Sequence, residues 1–580
     1  MDDIYEPLER YRDELKDTFR KNTEEAFAEM ERIAGVDAAA NRAVCAKIDA
    51  TQWKINRHRS DLGWMKFLRA CAIVLGAGLL VSPAFHDVIR EEWLAGTSVD
   101  QYSALILTGA AVAGIALIVL AFTALKKKVG EMSKDLEELE AAHRELVDEA
   151  ERQMAPLNAL FSWDIPAKLI EKTVPSIHFD PYFNAARLEQ LCSEFGYNGF
   201  LNTDSSVLFA HSGDIKGNPF VIANVRKFRM GTKVYTGYRT IYWTEYETDE
   251  KGNRHAVTRS ETLSASVEKP CPEYGNSTFL LYANEAAPNL NFSRTPEGLD
   301  GDSMFTGIRR NIKRRSLERY SRKLDDESDY TMMANRDFEV LFNTKDRDNE
   351  VEFRLLFTPL AQTSLLHLMH DRTEGFGDDF SVLKRRMINV VYPEHLQRFD
   401  IDTDPTRFMG YRLETVRQNF IRVNEEYFRE IYFAFAPLLS IPLYQQTRTR
   451  KEIYGEKLMR SSSFWEWESL ANFEGEARFA HPSSITDNIL KTSFIRDGKK
   501  GEKVIQVTAN GFSGTERVDY VSVYGGDGRF HDVPVEWVQY NPVSQSTQVS
   551  IVEMPEKDKA VIREDNYPVK KFRRKILISL

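Results

Sequence analysis

Two apolar runs decide the architecture of this chain: FLRACAIVLGAGLLVSPAF at residues 67–85 and YSALILTGAAVAGIALIVLAFTAL at residues 102–125. Arg69, near the start of the first, is the only charge in either. Hydrocarbon offers no water to a bare backbone, so a crossing helix needs about 20 apolar residues. The second run exceeds that length, and the first reaches it when the Arg69 guanidinium extends to the headgroups. The pattern predicts a transmembrane hairpin over 63–125. Small residues recur four apart: Ala72 with Gly76, Gly109 with Ala113, Ala110 with Gly114. Such ridges let helices approach closely, so the two spans are expected to pack on each other. Neither span centre holds an ionisable group, which disfavours a pore or transporter.

Working outward, Lys54, Arg57, Arg59, Lys66 and Arg69 lie before or at the start of the first run, and Lys126, Lys127 and Lys128 follow the second. Between the runs, from His86 to Gln101, Arg90 is the only Lys or Arg. The positive-inside rule then places both termini of a multi-pass protein in the cytoplasm. Residues 1–62 read as a cytoplasmic helical segment, with Ile4, Leu8, Tyr11, Leu15 and Phe19 at helical spacing and a break at Gly35. Residues 126–160 carry an apolar stripe (Val129, Met132, Leu136, Leu139, Leu146, Met154) that predicts a coiled-coil stalk of roughly 45 Å. Both extensions leave the bilayer side by side, so pairing with each other or with a second subunit is expected.

The chain has 580 residues, more than one hydrophobic core serves, so further folded units are expected. A net charge of −10 disfavours a dedicated nucleic-acid binder. The cysteines, Cys45, Cys71, Cys192 and Cys271, are scattered without zinc spacing, as a reducing compartment permits. The fold class is α+β: N-terminal helices with the hairpin and stalk, a mixed α+β cytoplasmic domain over 161–444, and a β-rich unit over 445–580. Within it, 207–209 and 220–223 read as strands around a turn-rich 213–219, and 246–256 and 284–304 as polar loops. Residues 338–342 and 351–357 read as strands, 364–369 as helix, 380–392 as strands, and 407–435 as a long amphipathic helix before a buried apolar stretch at 436–442. Four short alternating runs within 503–552 predict short strands separated by Gly-rich turns.

Two stretches carry a resemblance. One is 204–227, an acidic segment, a glycine (Gly213 or Gly217) and a strand with basic residues. The other is RDFEVLFNTKDRDNEVEFRLLFTPLAQTSLLHLM at 336–369. Over about 60–400 the chain resembles bacterial membrane proteins of the domain of unknown function 3137 family. That resemblance implies two N-terminal spans and a cytoplasmic α+β domain. It departs at Arg354-Leu355-Leu356, where the family more often has an Ala-Arg-Tyr-like run, and in the basic insertion near 309–323. The resemblance implies no catalytic residue.

His367, His370 and Asp371 form H-x-x-H-D, but Leu365, Leu366, Leu368 and Met369 point the helix to a core, so the expected reading is a solvated His pair without metal. Ser205, Ser206, His211, Ser212 and Asp214 hold the ingredients of a nucleophile triad without a Gly-x-Ser-x-Gly elbow, and read as a strand end and turn. Gly375-Phe376-Gly377 and Gly525-Gly526-Asp527-Gly528 match no phosphate cradle, and the second reads as a hairpin turn. The basic run Arg309, Arg310, Lys313, Arg314, Arg315, Arg319, Arg322 and Lys323 offers contacts to anionic lipid or an acidic partner, chiefly through its first five members. A solvated face paired with Glu318, Asp325, Asp326 and Glu327 is the competing reading. The terminal Lys570, Lys571, Phe572, Arg573, Arg574, Lys575 and Ile576 mix basic and apolar residues similarly.

These readings converge on a membrane-anchored, non-catalytic binding or scaffold module with no cofactor. The alternative is a membrane-tethered enzyme, such as a hydrolase, with a site assembled only in three dimensions. The expected partners are the bilayer, an anionic lipid or protein, and a second copy through the stalk; nucleic acid is disfavoured.

Overall fold

The computed structural model describes residues 4–85, 102–248, 254–301, 303–323, 330–448, 461–498, 502–553, 572–573 and 576–579. The inter-span loop 86–101 with Arg90, the acidic residues 325–327 and most of 570–576 therefore lie outside the described residues. The chain divides into two compact units, one formed by 1–24, 162–404 and 422–580, the other by 25–161 and 405–421.

The helical unit is built on Ala38–Val81, Ser103–Leu120 and Lys126–Asn158. Gly35, at a positive φ of 62°, ends the preceding helix, and the Asp37 carboxylate then caps the next by accepting from the amides of Ala39 and Ala40. Two helices, Ala38–Ala84 and Leu105–Asn158, are long and apolar enough to cross a membrane, and only 11 and 17% of their apolar windows is buried. They meet where the small-residue ridges predict. A Cβ on Gly114 would stand 2.6 Å from the Gly76 carbonyl oxygen, and one on Gly76 2.9 Å from that of Gly114, whereas Gly109 has nothing within 4 Å. Beyond the apolar segments the flanking helices continue together, with Arg59 paired to Glu140 at 2.8 Å. Arg69 lies over the Phe122 ring, 5.8 Å from its centroid, at the π-helical turn Ala121–Leu125. The segment 405–421 seals the unit: Asn41 bonds both Tyr411 O and Leu413 N, and Arg412 grips Asp49 through two nitrogens.

The other unit is organised by a seven-stranded antiparallel sheet in the order β1-β2-β3-β4-β7-β6-β5, where β1 is Ile177–Phe179, β2 Ser205–Ile215, β3 Asn218–Thr248, β4 Arg254–Ala283, β5 Asn291–Arg294, β6 Phe380–Arg385 and β7 Ile388–Pro393. Strand alternation assigns its faces. Val221, Ala223, Phe279, Leu281 and Val390 join Trp465 in one core. On the other side Phe220 meets Phe435 edge to face at 4.9 Å, and the buried Tyr282 hydroxyl donates to Tyr444 O. A second sheet runs β11-β12-β10-β9-β8: β8 Ile489–Asp497, β9 Glu502–Tyr524, β10 Phe530–Glu553, β11 Phe572–Arg573, β12 Ile576–Ser579.

The structure corrects four expectations. Residues 338–342 and 351–357 are helical, within Arg336–Phe342 and Glu350–Leu356. Asn335 and Asn349 cap them by accepting from Phe338 N and Glu352 N, and one turn apart Phe338 stacks on Phe342 while Phe353 meets Phe357 at a tilt. Gly213 lies inside β2, and the turn contracts to Lys216-Gly217. Residues 246–248 and 254–256 of the expected loop and the four short C-terminal runs belong to two long hairpins, while 249–253 lie outside the described residues. β3 pairs β4 continuously from Phe220/Tyr282 to Thr248/Arg254, and β9 pairs β10 from Glu502 to Tyr524. The glycines at 511 and 514 pair in register rather than turning, leaving one turn near Gly525–Gly528. Strand β5 also falls inside the expected loop 284–304.

Candidate functional site

The two hairpins outrun their sheets. β2 leaves β3 after Lys227, and β7 covers only Leu280–Ala283 of β4, so from Phe228 onward the first hairpin is a two-stranded ribbon. At about 3.3 Å per residue it extends roughly 70 Å. Such a ribbon is marginal alone. It is stabilised by the second hairpin, which lies face to face with it. Ile241, Leu263 and Ala265 pack on Val533 and Val535 in a dry seam. Gly237 marks the closest approach, where a Cβ would sit 1.9 Å from the Pro534 carbonyl oxygen. Lys269 pairs with Asp519 at 2.5 Å and covers the Trp537 ring, and Arg239 donates to Asp532 O.

The outward face of the first hairpin is chemically uniform, whereas that of the second also carries Glu516, Asp532 and Glu536. Tyr238, Tyr242 and Tyr246 are 67, 72 and 70% exposed, and Tyr520, Tyr524 and Phe530 are similarly open on the other hairpin. Between the tyrosines stand hydroxyls: Thr236 bonds Ser266 at 2.8 Å and Thr240 bonds Thr262 at 3.1 Å. The signal is present in TGYRTIYWTEYET, where Thr and Tyr hold every even position from 236 to 248. Rigid, half-polar Tyr side chains are what protein interfaces favour.

The expected contact residues lie on the helix Met304–Lys323 and divide by role. Arg310 donates to the carbonyls of Leu299 and Gly301, Lys313 pairs with Glu297, and Leu317 is buried. Burial draws the Lys313 ammonium below its usual range, against the pull of Glu297. These two cations hold the helix to the fold. Arg309, Arg315 and Arg319 are exposed and Arg314 is half-buried; the side chains of Arg322 and Lys323 are outside the described residues. Glu318 pairs with Arg336, outside the helix.

The remaining sequence candidates occupy structural positions. His367 binds Glu9 at 3.0 Å, His370 Nδ1 donates to the Leu366 carbonyl, and Asp371 receives the amides of Glu374 and Gly375. The expected solvated face is thus partly engaged by the N-terminal segment, and the described residues contain no group of three or more metal-binding side chains. His211 and Ser212 turn to opposite faces of β2. His211 is buried edge-on to Phe209 and Phe179, while Ser212 donates to Asp180 at 2.7 Å, and Arg187 bridges Asp180 and Asp214. Burial opposes the Arg187 charge, and the two carboxylates outweigh it. Phe376, between Gly375 and Gly377, stacks on His395 at 4.0 Å beneath Arg429. The 525–528 cluster is the hairpin turn expected of it.

Sequence reading missed a polar cluster at the β2 bulge between Val207 and Phe209. The helix Phe464–Glu474 satisfies the opened backbone: Glu468 accepts from Val207 N, Ser469 donates to Leu208 O, and Asn472 donates to Val207 O. Burial pushes the Glu468 carboxyl up to about 6 despite Lys491 at 3.1 Å. Lys491 spends its ammonium on Asn202 O and Oδ1, Ser205 O and Glu468, so it is a clamp. Beside it opens a cleft of about 360 Å³ walled by Phe228, Tyr274 and Phe512. Lys384, wholly buried, donates to Ala286 O and Arg386 O, and burial lowers it to about 7. No family model, no curated protein and no solved structure matches this chain.

Proposed function

We propose that the protein is a membrane-anchored scaffold of the bacterial inner membrane that captures a protein partner on its double β-arm. The reading places both termini in the cytoplasm, because the cations at 54–69 and 126–128 flank the two apolar helices on one side. The resemblance to the domain of unknown function 3137 family fits this layout. The observation that carries the proposal is the outward stripe of Tyr238, Tyr242 and Tyr246 among Thr and Ser hydroxyls. It is a broad, uncharged and exposed surface on a rigid support. The flanking helices act in this reading as a coiled stalk, and pairing of stalks between copies would make capture multivalent.

The test is capture from native membranes with the intact chain and with Tyr238→Ser/Tyr242→Ser/Tyr246→Ser. A partner held by the wild type and lost by the variant supports the scaffold; identical captured sets reject the arm as its docking surface. Periplasmic activity of a reporter fused to the C-terminus would overturn the orientation. A second reading, a membrane-tethered enzyme, is favoured by the Glu468 carboxyl poised near neutral pH beside an aromatic-walled cleft. Turnover abolished by Glu468→Gln with the fold intact would support it.

A further inference from the structure

The helix Met304–Lys323 has a second face that the fold does not use. Its docked side is fixed by Arg310, Lys313 and Leu317. On the other side Phe305, Ile308 and Ile312 are 78, 48 and 64% exposed. Spacings of three and four residues align them in one stripe along the axis. Arg309, Arg315 and Arg319 border that stripe, and no ion pair or hydrogen bond engages them among the described residues. Among 304–323 there are eight Lys or Arg and one acid, Glu318, which is paired with Arg336.

We infer that this helix is an interfacial element that lies on the anionic cytoplasmic leaflet, with Phe305, Ile308 and Ile312 in the acyl boundary and the arginines on lipid phosphates. An apolar stripe edged by cations is the composition such helices need, since electrostatic attraction brings the face to the bilayer and apolar burial holds it there. Charge complementarity selects the occupant. Arginine forks match phosphate oxygens, and a stripe of Phe and Ile has no counterpart on a nucleic-acid backbone. This inference rests on the anchored, cytoplasmic reading of the chain. The anchor keeps the helix within reach of the leaflet, so weak intrinsic binding suffices for a large docked population. Docking would fix where the body stands beside the bilayer and, through it, where the arm is presented.

The test uses the intact chain in lipid nanodiscs, with an environment-sensitive fluorescent residue incorporated at Ile312 and bromolipid as the quencher. In discs containing phosphatidylglycerol the probe shifts to the blue and is quenched; in phosphatidylcholine discs it stays in water. The charge reversal Arg309→Glu/Arg315→Glu/Arg319→Glu lowers the docking constant on the order of 100-fold, about fivefold per arginine. Circular dichroism and disc incorporation remain unchanged, because these side chains hold nothing in the fold. Quenching equal in both lipids, or absent from both, overturns the inference while leaving the anchor standing. A shift produced by RNA and not by phosphatidylglycerol overturns it in favour of a nucleic-acid face. A chain that never enters discs overturns the anchored reading and this one together.

Discussion

The apolar helix pair and the double β-arm are both hairpin structures joined at a glycine, and they differ in what they turn outward. In the helix pair, Gly76 and Gly114 bring backbone against backbone, and outward stand Val74, Leu75, Leu105, Val112 and Val119. In the arm, Gly237 meets the Pro534 carbonyl, and outward stand tyrosines separated by threonines. The joint is the same device, a missing Cβ that lets polar backbone groups come within van der Waals distance. The surroundings are not the same. A helix apolar on every side is stable only where hydrocarbon replaces water. A ribbon with one buried apolar seam and one hydroxylated face is stable in water.

The strongest way to break the comparison is Gly237→Val. With a backbone oxygen 1.9 Å from the new Cβ, the hairpins must part, and a loss of about 3 kcal/mol is expected. Limited proteolysis should then cut within 228–248 and 515–535; a variant as resistant as the wild type would show that the seam does not depend on this contact. The matching change in the helix pair, Gly114→Leu, should cost about 2 kcal/mol in detergent unfolding. Gly109→Leu, with open space around it, should stay within about 0.5 kcal/mol. Equal effects at 109 and 114 would remove the Gly76–Gly114 contact from the account.

Acidity should separate the two regions. Glu468 braces the β2 bulge beside β8, and its folded value of about 6 lies above the ordinary 4.5. The native state therefore holds this proton more tightly than the unfolded chain. The resulting stabilisation, about 2 kcal/mol, is complete below pH 4.5 and is lost as pH rises through 6. Urea unfolding between pH 4.5 and 6.5 should show this decline, and Glu468→Gln should flatten it. The apolar runs 67–85 and 102–125 contain no carboxyl side chain, so the cost of Gly114→Leu should not vary over that range. The smallest effect is expected at the outer face: Tyr238→Ser, Tyr242→Ser and Tyr246→Ser should each change stability by no more than about 0.5 kcal/mol. Their effect is expected in partner capture alone, and a large stability loss would mean that the stripe is structural.

The candidate surfaces were legible to different depths. The basic helix could be found by counting Arg and Lys, but not which cations were free. Arg310 and Lys313 are spent on Leu299, Gly301 and Glu297, segments whose approach no local pattern encodes. The second hairpin of the arm reads as fragments in sequence because the glycines at 511 and 514 look like turns. In the fold each occupies an ordinary register position. The Phe-rich segment at 336–357 alternates enough to suggest strands. Two asparagine caps and one-turn Phe stacking make it helical instead.

By itself the sequence determined the two apolar helices, the glycines on which they meet and the α+β character of the chain beyond them, because uniform hydrophobicity and short-range periodicity are properties of neighbours along the chain. Only the tertiary structure decided which ribbon stacks on which, which arginines are committed and which carboxyl is buried. The stacking of the ribbons and the burial of the carboxyl depend on groups more than 200 residues apart, such as Gly237 with Pro534 and Glu468 with the bulge at Val207, whose contact energy exists only once the chain has folded.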